Sequence, residues 1–78
     1  MDKNKNIMNL YKSIEMKGLK TKVVEVVSNH TGIKILSIKN NWFSNGQFPE
    51  DHQDFLIKTL QNAHVIQNEY INNIKVNL

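Results

Sequence analysis

Residues 28–49 read SNHTGIKILSIKNNWFSNGQFP, and the fold turns on how this stretch is read. Its middle part, Ile33-Lys34-Ile35-Leu36-Ser37-Ile38-Lys39, nearly alternates apolar and polar residues. One strand of a hairpin turning at residues 29–32 would do the same. Read as a helix, the stretch places Ile35, Ile38 and Trp42 at spacings of three and four, which makes one buried stripe. Asn40 and Asn41 are poor strand residues, and Asn45-Gly46 closes the segment as a helix C-cap does. A two-stranded hairpin is also marginal unless the helices on either side cover it. The balance favours a helix over 33–44.

On the N-terminal side, residues 1–6 are polar and expected to fray. Ile7, Leu10, Tyr11 and Ile14 share one helical face, with Gly18 as the stop, so the first helix is expected over about 7–17. The segment that follows is ambiguous. Val23, Val24, Val26 and Val27 favour strand by propensity, and Thr21 has no glutamate or glutamine three residues on to complete a capping box. Local evidence there leans slightly to strand. On the C-terminal side, Pro49 suits the first position of a helix, with Glu50 and Asp51 in its first turn. Leu56, Leu60, Ala63, Gln67, Tyr70 or Ile71, and Ile74 then keep helical spacing, so a last helix is expected from 49, either through to about 74 or with a break near Gln67–Asn68. The expected class is all-α, a bundle of four to five helices, with an α+β helix–hairpin–helix arrangement as the alternative.

At 78 residues the chain is one domain with a small core. It has no cysteine, so disulfides and thiolate metal sites are excluded. No apolar run approaches the roughly 20 residues of a membrane span, and MDKNKNIMNL lacks the apolar centre of a signal peptide. The expectation is a cytoplasmic protein with no membrane partner. Net charge is +3, but residues 1–39 carry +5 and residues 40–78 carry −2. A basic end suits a polyanion; the plainer reading is a solvated lysine surface. All ten basic residues are lysine and asparagine is frequent, a bias that A/T-rich codons produce.

The order of parts from 7 to 62 resembles the helix-turn-helix of the lambda-repressor/Cro-like superfamily. Gly32 stands at the turn, with Ser28 four before it, Val27 before that, Ile33 after it and Ile38 six after it. The superfamily's late apolar position falls on Asn41 here, one residue ahead of Trp42, and its usual glutamine at the start of the first motif helix is missing. The resemblance implies a small DNA-binding regulator of the kind found in phages and mobile elements. The run NNWFSN also resembles that of atypical homeodomains, but Gly46 and Pro49 stop the helix and no arginine follows. We read that likeness as convergence or chance.

On a helix over 33–44 the face opposite the stripe carries Ser37, Asn40, Asn41 and Ser44, with Lys34 at the N-terminal end and Lys39 at the margin. Lys34, Ser37, Asn40, Asn41 and Ser44 are the candidate base-reading residues. Asparagine can bond adenine N6 and N7 together, and lysine can reach guanine, so the site is expected to be A/T-weighted. Codon bias alone would also place asparagines here. Leu36 and Phe43 lie between the faces and are expected to pack against the last helix. Lys20, Thr21 and Lys22, read as opening the second helix, and Lys39 are the candidate phosphate contacts; Lys3, Lys5 and Lys58 are looser ones.

Other chemistry is poorly represented. His30, His52 and His64 lack metal-ligand spacing, Asp51 and Asp54 suit dipole partners at a helix start, and no phosphate loop or nucleophile elbow occurs. No enzyme activity, cofactor or metal is expected. Residues 65–78 are rich in apolar side chains and form a possible dimerisation segment, as in small regulators that bind palindromes. The expected function is therefore a sequence-specific double-stranded DNA-binding regulator, a repressor, acting as a homodimer. A small helical adaptor or inhibitor that binds an acidic protein surface is the alternative.

Overall fold

The computed structural model describes the backbone of residues 2–77 and the side chains of residues 2–71. Among the described residues the chain is all-α, without strands. The α+β alternative is thereby excluded. Helix α1 is Lys3–Lys12 and α2 is Lys17–Thr31. Helix α3 opens as one α-helical turn, Ile35–Ser37, and continues as a π-helix, Ile38–Phe43. Helix α4 is Glu50–Asn77.

The first helix begins earlier than its apolar spacing predicts. Asp2 accepts a hydrogen bond from the Asn4 backbone N–H at 3.0 Å, which caps α1 and removes the expected fraying of residues 3–6. The helix also ends earlier, at Lys12, and Gly18 lies in the first turn of α2 rather than stopping α1. The link between them is held from a distance. Gln67 of α4 accepts from the N–H groups of Glu15 (2.8 Å) and Met16 (3.4 Å) through Oε1, and its Nε2 donates to the Ser13 carbonyl at 3.4 Å. Gln67 thereby satisfies three backbone groups of the link, all ahead of the first helical residue, Lys17.

Helix α2 forms despite its valines. Val23, Val24 and Val27 fall on one face and are buried, so packing against α4 outweighs their β propensity. Gly32 ends the helix in the left-handed region, with φ at 76°, and its N–H donates to the Ser28 carbonyl at 2.8 Å. Two hydroxyls tie the turn. Ser28 Oγ donates to the Ile33 carbonyl at 2.6 Å, and Thr31 Oγ1 accepts from the Ile33 N–H at 3.2 Å.

Helix α4 packs against both α1 and α2, and α3 packs on α2. At 1.5 Å per residue, the 28 residues of α4 span about 42 Å, the long dimension of the molecule. The fully buried side chains Ile7, Val24, Val27, Ile38, Leu56 and Leu60 bring all four helices into one core. The predicted stripe Leu56, Leu60, Ala63 and Gln67 is buried as spaced, and α4 runs unbroken past Gln67. Asn4 fastens the α3–α4 connection to α1 by accepting from the Phe48 N–H at 2.9 Å. No helix among the described residues is long and apolar enough to cross a membrane.

Candidate nucleic-acid interface

Helix α3 is held from its inner side. Ile38, Trp42 and Phe43 are buried. Phe43 stacks on Tyr11 with centroids 4.1 Å apart and meets Phe48 edge-on at 5.1 Å. Trp42 lies 5.8 Å from the His52 ring. The π-helical geometry explains how two consecutive aromatic residues both face inward. An i→i+5 turn takes in one more residue than an α-turn, so the inward sector is shared between Trp42 and Phe43. The Ser44 N–H closes this ladder on the Lys39 carbonyl at 3.1 Å, and Ser44 Oγ donates to the same oxygen at 2.9 Å. Gly46, with φ at 68°, ends the helix.

Two of the expected packing assignments are corrected. Ile35 begins the helix, with no preceding turn to pack beside, and lies at the margin with 38% exposure rather than in the buried seam. Leu36 does not pack against the last helix. It is 70% exposed on the outer side of α3, because it stands two residues from Ile38, about half a turn round. Phe43 does pack, although its ring partners are Tyr11 and Phe48.

The outer face of α3 presents Asn40, Asn41 and Ser44, all exposed, with Ser37 half-buried beside them. Lys34, exposed, stands immediately before the first turn, and Lys39 is exposed on the flank. The five candidate base-reading residues are thus carried on one short helix and the residues that border it. Asn41 also offers its carbonyl to Asn45 Nδ2 at 3.2 Å, which leaves its own side-chain amide free to turn outward.

The candidate phosphate contacts are arranged differently from expectation. Helix α2 opens at Lys17, not at 20–22, with Met16 as its N-cap residue. The Lys20 N–H already donates to the Met16 carbonyl at 3.2 Å, and the Thr21 hydroxyl donates to the Lys17 carbonyl at 3.2 Å. Backbone donors at 20–22 are therefore not the open N–H groups of a helix start. Lys22 is exposed, and Lys20 is half-buried with its Nζ 5.0 Å above the Tyr11 ring. Lys3 pairs with Asp54 at 3.2 Å on the surface, and Lys17, which the sequence reading passed over, stands exposed in the opening turn of α2.

The histidines have packing roles. His30 lies flat on Phe55, with centroids 3.7 Å apart and planes 6° from parallel, and His64 Nε2 is 2.7 Å from the Leu10 carbonyl. Among the described residues, no three His, Asp or Glu side chains are grouped to hold a metal ion. A groove of about 480 Å³ runs between α2 and α4, lined by Leu19, Val23, Val26, Phe55 and Ile66, with Lys22 and Lys58 also on its wall. Val65, Ile66 and Tyr70 leave an exposed apolar stripe on α4 nearby. The side chains of Ile74 and Val76, part of the expected dimerisation segment, lie outside the described residues. Comparison with family models, curated proteins and solved structures gives no match.

Proposed function

We propose that the chain is a sequence-specific double-stranded DNA-binding transcriptional regulator, a repressor, that sets α3 in the major groove of an A/T-weighted palindrome. The observation that carries this reading is the two-sidedness of α3. Its inner side is locked by Ile38, Trp42 and Phe43, while its outer side offers Asn40, Asn41 and Ser44 to solvent. Short polar side chains on a rigidly backed helix meet the demand of base-edge recognition, where amide pairs on adenine need fixed geometry. The turn before α3 is tied by Ser28, Thr31 and Gly32, which fixes the angle at which the helix leaves α2. The +5 charge of residues 1–39 supplies the attraction to phosphate. The exposed stripe Val65, Ile66 and Tyr70 supports a homodimer, whose twofold axis would match a palindrome. No catalytic role, cofactor or metal belongs to this reading.

Replacing Asn40 and Asn41 together by alanine tests it. Both side chains are exposed, so the unfolding midpoint is expected to stay unchanged. Preference for the best duplex from a randomised pool is expected to fall by about 1–3 kcal/mol per lost amide–adenine pair. Undiminished preference would refute the assignment of the reading face.

A second reading is favoured by the groove between α2 and α4. Apolar walls bordered by Lys22 and Lys58 suit an acidic amphipathic segment of another protein. This adaptor reading predicts equal binding to all duplexes of the same length.

A further inference from the structure

Leu36 has no packing partner that accounts for it. At 70% exposure it is the most exposed large apolar side chain among the described residues. A single exposed leucine ordinarily calls for no explanation; here its neighbours do. Asn40 follows it by four residues and Ser44 by eight, both exposed. In a helix that is α-helical to Ser37 and π-helical from Ile38, steps of four stay close to a full turn. Leu36, Asn40 and Ser44 therefore form one row along the outer side, with the leucine at the N-terminal end.

An A·T pair offers the major groove two kinds of handle. Adenine gives N7 and N6–H, which an asparagine amide can bond together, and thymine gives O4 and the C5 methyl. The methyl is the apolar group on the base-pair edges of that groove. A leucine gains the most contact there. Against cytosine it would meet a polar N4–H donor and leave it unpaired. Resting on the DNA-binding reading above, we infer that Leu36 is a specificity-determining residue that packs on the C5 methyl of a thymine next to the base read by Asn40. The row then selects A/T steps by two independent means, an amide bond and a methyl contact. The basic half of the chain, which contains α3 up to Lys39, holds this row against the polyanion.

The test removes only the methyl group. The full chain is used to enrich a duplex pool randomised over two helical turns, and each thymine of the enriched sequence is replaced singly by deoxyuridine. At least one thymine is expected at which the replacement weakens wild-type binding about four-fold, the factor for one methyl-sized apolar group. At that position Leu36→Ala is expected to bind the thymine and deoxyuridine duplexes equally. The exposed position leaves the fold of L36A intact, which its urea midpoint checks. A four-fold loss that persists in L36A, or no sensitive thymine at all, would overturn the inference while leaving DNA binding in place. A pool with no enriched sequence would overturn the DNA-binding reading and this inference together.

Discussion

Gln67 joins the last helix to the start of the second through three backbone groups, and it is the one buried polar side chain among the described residues. Replacing it with leucine keeps much of the volume but leaves the Glu15 N–H without its acceptor. A loss of about 1–3 kcal/mol is expected, visible as a lower urea midpoint with an unchanged slope. Its place on the buried stripe was legible from spacing. Its role was not, because its partners lie 51 to 54 residues away in the chain. The same reason hid the true start of α2. Local rules looked for a cap at Thr21, whereas α2 opens at Lys17 without a side-chain cap, after a link that α4 holds. Gly32 was legible because a left-handed turn residue is a local requirement. Leu36 was misjudged because burial preference is an average and does not settle a single position.

For the elements, the valines of α2 and the alternation of Ile33–Lys39 were the main arguments for strand. Both are local, and both yield to burial of Val23, Val24, Val27 and Ile38 in one core. Spacing at 3.6 residues per turn puts Trp42 inward and Phe43 between the faces; both are buried inside the π-helix Ile38–Phe43, a geometry that spacing rules do not contain. Removing Asn41 should let this segment close as an ordinary α-helix with both aromatic residues still inward. The variant is expected to unfold cooperatively and keep its helical far-UV signal. It should lose sequence preference, since the reading rows are shortened. Loss of cooperative folding would mean that the π-helix is needed for the core itself.

The whole molecule combines a basic N-terminal half with a single core shared by four helices. On the proposed DNA-binding reading, that asymmetry sets how binding responds to salt. If about five lysines per chain reach phosphate, the logarithm of the binding constant falls with the logarithm of salt concentration at a slope of about −4 to −5 per chain. A titration of one duplex over a salt series reads this slope directly, and a slope near zero would remove the electrostatic part of the account.

The central claim is recognition of sequence, and it reduces to one ratio. The affinity of the full chain for its enriched duplex is measured at physiological salt against a scrambled duplex of the same composition. A ratio of about 10³ or more in favour of the enriched sequence is expected. A ratio near one would contradict it and leave the groove between α2 and α4 as the better guide to what this protein binds.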